Sequence, residues 1–148
     1  MRVLAATDGS RGGTAALRFA ARLVGQDPES ELIVLTVARP APEALRDATT
    51  SSNGLRQRAE KILESAARLV RGQRLQVQYR FVAARPGAPV PETISREADR
   101  LRADLVVVGS EGRDTLSEWV LGGVALRLVF VSRRPVTVVR PPRRRKTA

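Results

Sequence analysis

The stretch VVVGSEGRDTLSEWVLGGV, residues 106–124, combines the pattern of a buried strand, a glycine-rich loop and the start of a helix. Its apolar opening, Val106–Val108, is typical of a central strand in a parallel sheet. The loop glycines are Gly109, Gly112 and Gly122, with two residues between the first pair and nine between the second. Glycines let backbone N–H groups approach an anion closely, and a helix N-terminus adds partial positive charge. We therefore interpret the spacing as favouring phosphate binding over three unrelated turns.

Strand and helix patterns alternate on both sides of this stretch. Apolar or period-two runs predict strands at 3–7, 31–38, 75–81, 105–108 and 135–140. Helical stripes predict helices at 14–24, 55–69, 91–101 and 124–131. Gly25 is predicted as a left-handed cap, Pro91 as a first helical residue, and 39–53 as a mobile connection. Strict alternation predicts a parallel sheet with helices on both faces, whose ligands bind beyond the carboxyl ends of the strands.

The composition restricts the chemistry that the chain can perform. Its 148 residues suit one domain and include neither cysteine nor histidine. A Ser-His-Asp triad, a cysteine nucleophile and a zinc site of the usual ligands are therefore excluded. No apolar run approaches the roughly 18 residues that span a bilayer. The N-terminus has no signal-peptide pattern, so we expect no membrane association and a cytoplasmic location.

The net charge of +11 is unevenly distributed. Residues 133–148 hold seven of the 26 basic residues and no acidic residue. We expect a folded domain at 1–142 and a disordered basic tail at 143–148. Aromatic residues, on which bases could stack, make up only 3% of the chain. Nucleic-acid association through the tail is therefore an unfavoured alternative, and it would be electrostatic and non-specific.

The glycine spacing resembles the signature of the universal stress protein family, Gly-x2-Gly-x9-Gly followed by Ser or Thr. The opening VLAATDGS at 3–10 is similar to that family's first strand and acidic turn, and RPVTVVR at 134–140 to its last strand. The likeness covers nearly the whole chain except the basic tail. It implies a Rossmann-like α/β fold, an open five-stranded parallel sheet in the order 3-2-1-4-5. Asp8 and Gly109 would then end neighbouring strands at the switch point.

The resemblance also implies an adenine-nucleotide site and a stress-response or regulatory role with little or no turnover. The implied cofactor is ATP, with or without Mg²⁺. Asp8 would lie near the ribose and phosphates, and the backbone at the end of the second strand would meet the adenine. For Asp8, a turn-forming role with its carboxylate bonded to nearby amides is equally well supported. The full predicted site comprises Ala6, Thr7, Asp8, Val37, Ala38, Gly109, Ser110, Gly112, Arg113, Gly122, Gly123 and Val124.

Two residues depart from the family pattern. Gly123 stands where the family has Ser or Thr, which removes a hydroxyl contact to phosphate, although the amide is retained. Glu111 places a carboxylate inside the loop. Both departures favour an alternative, a nucleotide-free interaction protein of the same fold. Slow ATP hydrolysis would depend on Asp8 with a bound Mg²⁺, and it ranks lowest. We assign no catalytic residue and no metal site.

The last predicted strand suggests how the protein assembles. It is an edge of the predicted sheet, and between Pro135 and Arg140 its residues are β-forming and uncharged. Unprotected edges of this kind pair with other chains. Two copies that meet antiparallel about a two-fold axis satisfy both edges at once. We therefore expect a homodimer joined through Val136 to Arg140, as the resemblance also implies.

Overall fold

The computed structural model describes residues 1–40, 48–111 and 121–142. Strands and helices alternate along these residues, as the sequence pattern predicts. The elements are β1 (Arg2–Ala6), α1 (Arg11–Val24), β2 (Glu31–Ala38), α2 (Ala48–Val70), β3 (Gln76–Ala83), α3 (Val90–Arg100), β4 (Leu105–Gly109), α4 (Gly123–Val131) and β5 (Val136–Val139).

The five strands form one parallel sheet in the order β3-β2-β1-β4-β5, which confirms the predicted fold class and strand order. Leu4 of β1 pairs with Ile33 of β2 on one side and with Val106 of β4 on the other. The chain runs outward from β1 to β3 and then crosses back to β4. The direction of winding therefore changes between β1 and β4. An open parallel sheet has its ligand crevice at this point.

Helices cover both faces of the sheet. Side chains alternate between the two faces along each strand, so the apolar strands place apolar side chains on both faces. Val3 and Ala5 of β1 pack with Leu17 on the face that α1 and α2 cover. Leu4 packs with Ile94 and the helices α3 and α4 on the opposite face. These two apolar layers fix the positions of the helix ends around the crevice. Among the described residues, no helix is both long and apolar enough to cross a membrane.

Some local predictions differ from the structure. α1 begins at Arg11 rather than at residue 14, because Ser10 caps the helix there. Gly25 has φ −64° and ψ −9°, so it continues the helical conformation, and its N–H donates to the Ala21 carbonyl at 2.9 Å. α2 begins at Ala48, so residues 48–53 of the predicted connection are helical; Ser and Thr are intermediate helix formers and do not break a helix. α3 begins at Val90, which makes Pro91 its second residue. Residues 41–47 and the basic tail at 143–148 lie outside the described residues.

Candidate functional site

The turn after β1 directs the chain into α1. The Gly9 N–H donates to Thr7 Oγ1 at 3.2 Å, and the Ser10 N–H donates to Asp8 Oδ1 at 2.9 Å. Gly9 has φ +79°, a left-handed conformation that glycine adopts without a steric penalty. Ser10 caps α1, since its Oγ accepts the Gly13 N–H at 3.1 Å. Asp8 thus has the turn-forming contact that the sequence pattern allows.

Three glycines let the first turn of α1 lie directly against the ends of β1 and β4. A Cβ at Gly109 would lie 2.3 Å from the Gly12 carbonyl carbon, and one at Gly12 would lie 2.0 Å from the Glu111 carbonyl oxygen. A Cβ at Gly13 would lie 2.5 Å from Thr7 Oγ1. Gly109 is therefore required by contact between backbones. Gly109 was predicted to let a ligand approach the backbone. Gly12 and Gly13 were not predicted, although a glycine pair at a helix start is their signal in the sequence.

The chain leaves β4 through a residue whose backbone is fully hydrogen-bonded. The Ser110 N–H donates to the Val139 carbonyl at 2.8 Å, and its carbonyl accepts the Gly122 N–H at 2.6 Å. These bonds hold the start of α4 next to the end of β4. The next amides, from Gly123 to Ala125, form the first turn of α4 and have no intrahelical acceptor. The first turn of α4 thus carries amides that an anion could engage.

A cavity of about 330 Å³ opens at the carboxyl ends of β1, β2 and β4. Its volume lies within the roughly 300–1,000 Å³ typical of small-molecule pockets. Side chains of β2, α3, β4 and α4 supply its apolar part: Leu35, Val37, Val90, Ile94, Val108, Val124 and Ala125. The ends of β1 and β4, the residues that follow them and the starts of α1 and α4 supply the rest: Ala6, Thr7, Asp8, Gly13, Gly109, Glu111, Gly122 and Gly123. The lining therefore combines an apolar wall with polar groups and exposed backbone.

The structure brings together eight of the twelve residues predicted for the site: Ala6, Thr7, Asp8, Val37, Gly109, Gly122, Gly123 and Val124. Ala38 and Ser110 do not line the cavity. The Ala38 carbonyl accepts the Ala84 N–H at 2.8 Å, so this part of its backbone is turned toward the segment after β3. Gly112 and Arg113 lie outside the described residues. Val90 and Ile94 line the cavity but were not predicted to do so. Their signal in the sequence is the apolar stripe at the start of a helix that follows a strand.

An ion pair joins the two helices that flank the cavity. The Arg127 guanidinium on α4 donates to Glu92 on α3. This hydrogen bond lowers the pKa of Glu92 below its ordinary value and raises the pKa of Arg127. One turn further along, Ser95 Oγ donates to the Val131 carbonyl at 3.3 Å. The described residues contain no cluster of three or more His, Cys, Asp or Glu that could hold a metal ion.

The strand order and the cavity at the β1/β4 switch point define a Rossmann-like α/β protein with a ligand-sized crevice. The universal stress protein family model matches residues 1–140, and the chain belongs to that family.

Solved structures share this fold. One is a hypothetical protein whose biochemical function was assigned from its structure, with TM-score 0.80, 24% identity and coverage of 96% of both chains. Another is a universal stress protein in complex with cAMP, with TM-score 0.63, 22% identity and coverage of 96% of this chain and 98% of the other. A third is the universal stress protein from Archaeoglobus fulgidus in complex with dAMP, with TM-score 0.69, 21% identity and coverage of 93% and 96%. None of the curated proteins matches this chain.

Proposed function

We propose that this protein binds an adenine nucleotide in the cavity at the ends of β1, β2 and β4, and that it acts in a stress response as a regulatory protein with little or no turnover. The observation that carries the proposal is the position of the cavity, with an apolar wall beside the first turn of α4. The complexes of structural neighbours with cAMP and dAMP support the same ligand class. ATP, with or without Mg²⁺, is the nucleotide that we propose.

The adenine ring occupies the apolar part of the cavity in this proposal. Val37 at the end of β2 faces the same space as Val90 and Ile94 of α3. A flat base buries apolar area between such side chains, while a few polar groups fix its orientation. In this proposal the backbone at Val37, which lines this space near the end of β2, supplies a polar group; the predicted contact with Ala38 is not retained, because its carbonyl accepts the Ala84 N–H. Asp8 also lines the cavity, and in this proposal it would lie near the ribose.

The phosphates lie at the start of α4 in this proposal. The amides of Gly123 and Val124 and the positive end of the helix dipole favour an anion there. Gly112 and Arg113 belong to the same proposed loop. Glu111 also lines the cavity, and in this proposal its negative charge opposes additional negative charge on the ligand. Its presence makes the comparison of ATP with AMP informative, because each further phosphate brings more charge near this carboxylate.

Calorimetric titration with ATP, ADP, AMP and GTP tests the proposal. We expect saturable binding of the adenine nucleotides. GTP should bind more weakly, because the exocyclic groups of guanine differ from those of adenine. Replacing Glu111 with Gln should raise the affinity for ATP more than that for AMP, since it removes a repelling charge. Glu64→Gln on α2 removes the same charge away from the cavity and is the matched control. If no adenine nucleotide binds and none is released on denaturing extraction, the nucleotide-free interaction protein becomes the correct interpretation.

We also propose that the protein forms a homodimer through β5. β5 is an edge of the observed sheet, and the Pro135 and Val139 carbonyls accept N–H groups of β4 and of Ser110. Because backbone groups alternate in direction along a strand, those of Val138 point away from β4. The neighbouring face of α4 is apolar and exposed: Leu126 by 48%, Val129 by 50% and Phe130 by 80%. A second copy would cover both the strand edge and this face.

A further inference from the structure

A second cavity, of about 310 Å³, lies at the end of the sheet opposite the first one. Its lining comes from the first residues of β1, β2 and β3, from the end of α3 and from the two residues that follow it: Arg2, Ile33, Gln78, Arg100, Leu101 and Arg102. Three of these six residues are arginines. No part of the nucleotide proposal uses this cavity, so its arginine lining requires a separate explanation.

Arg102 has an unusual backbone conformation. Its φ is +53°, and it is the one residue other than glycine with a positive φ among the described residues. The Arg102 N–H donates to the Asp99 carbonyl at 3.0 Å, and the Ala103 N–H donates to the Ala98 carbonyl at 2.9 Å. These two bonds form a Schellman motif, whose left-handed position is usually glycine. An arginine with a left-handed backbone is strained, and strain of this kind is concentrated at functional sites.

The other polar groups of the cavity are held in place by carboxylates. Arg2 Nε donates to Glu31 Oε2 at 2.8 Å, and Arg2 Nη1 donates to the Leu101 carbonyl at 2.7 Å. The Gln78 amide donates to the other oxygen of Glu31. Arg100 is bound in the same way to Glu97 on its own helix. Because a guanidinium has five N–H donors, both arginines retain donors beyond these bonds.

The Arg102 guanidinium is not neutralised in this way. It forms no hydrogen bond or ion pair with any residue that the structure describes. The charges of Arg2 and Arg100 are balanced by their carboxylate partners, so Arg102 contributes the uncompensated positive charge of the cavity. An uncompensated guanidinium beside two positioned arginines provides hydrogen-bond donors and positive charge in one place.

We propose that this cavity binds the phosphate group of a small anion, with Arg102 as the main contact and Arg2 and Arg100 as further donors. Guanidinium groups bind phosphate through paired hydrogen bonds, and a phosphate offers three oxygens to several donors at once. The half-buried Leu101 adds apolar surface that an organic substituent could cover. The ligand is therefore either free inorganic phosphate or a small phosphorylated molecule.

Side-chain NMR tests the proposal without reference to the nucleotide cavity. Sodium phosphate and glycerol phosphate would each be titrated at constant ionic strength while the arginine Nε–Hε signals are followed. We expect saturable shifts of the Arg102 and Arg100 signals. Tighter binding of glycerol phosphate would identify a phosphorylated molecule as the ligand, and equal affinities would identify free phosphate. Shifts that do not saturate, or that affect all exposed arginines equally, would overturn the proposal.

Variants at position 102 separate binding from folding. Arg102→Gly should lower the phosphate affinity at least tenfold, while the melting temperature stays the same or rises because the left-handed strain is relieved. Arg102→Lys keeps the charge but loses the paired donors, and the affinity should fall severalfold. Arg56→Gln, on the exposed side of α2, removes one charge elsewhere and should leave the affinity unchanged. An unchanged affinity in Arg102→Gly, or an equal loss in Arg56→Gln, would refute the site.

Discussion

Replacing Gly109 with Ala tests the contact between β4 and α1. The added Cβ would lie 2.3, 2.5 and 2.6 Å from the carbonyl carbon, carbonyl oxygen and Cα of Gly12. These are backbone atoms, so no side chain can rotate away to make room. Since carbon atoms pack at about 3.5–4.0 Å, the start of α1 must move by on the order of 1 Å. Overpacking of this kind costs about 1–3 kcal/mol.

Thermal unfolding measured by circular dichroism reports this cost. For a chain of this size each kcal/mol lowers the melting temperature by roughly 2–4 °C, so we expect a fall of about 2–12 °C. Gly109 and Gly13 both line the cavity, so a displaced α1 should also weaken ATP binding. Gly123→Ala is the matched control, since its Cβ would meet nothing within 4 Å and its amide remains. If Gly109→Ala melts within a degree of Gly123→Ala, the packing argument is wrong.

Three further predictions concern the edge strand, the tail and the ion pair of α3 and α4. Val138→Pro removes an outward-pointing N–H of β5 and should convert the dimer to a monomer in light scattering; a wild-type protein that is already monomeric at micromolar concentration would refute the dimer. Cutting the chain after Pro142 should leave the melting temperature nearly unchanged, and a drop of many degrees would show that the tail docks on the domain. Arg127 lowers the pKa of Glu92, so the stabilisation from this pair is present above the unfolded pKa and is lost as pH falls through the lower folded pKa. Arg127→Gln should return the Glu92 pKa toward its ordinary range in an NMR titration, and an unchanged pKa would contradict the assigned cause.

The helices and strands could be predicted from the sequence because each is specified by the local pattern of apolar and polar residues. Period-two and helical stripes place each strand and helix, because burial of one face requires that periodicity. The strand order depends on the family resemblance, since periodicity alone does not say which strands are neighbours. Val37, Asp8 and Gly109 line one cavity because each lies at, or within two residues of, the carboxyl end of its strand. The topology brings these strand ends to one side of the sheet.

The residues that sequence could not predict depend on contacts between distant segments. Gly12 is small because Glu111, about a hundred residues later, passes against it. Val90 and Ile94 line the cavity because α3 packs next to β2. The apolar stripe of α3 shows that one face of the helix is buried, but it does not specify which strand that face contacts. Gly25 was assigned a left-handed cap from its residue type, but the chain remains helical there. Residue type shows which conformations are permitted, and packing decides which of them is used.

The glycine spacing that identifies the family has several physical causes, and this affects how the function should be tested. Gly109 is required by its contact with Gly12, and the Gly122 N–H is bonded to Ser110. A relative that had lost nucleotide binding would still need Gly109 in order to fold in this way. The spacing therefore supports the fold more strongly than it supports the ligand. The apolar wall at Val37 and the charge of Glu111 are the features that distinguish a nucleotide-binding protein from an interaction protein of this fold. Substitutions at Val37 and Glu111 therefore discriminate between the two functions, whereas substitutions of the signature glycines alone do not.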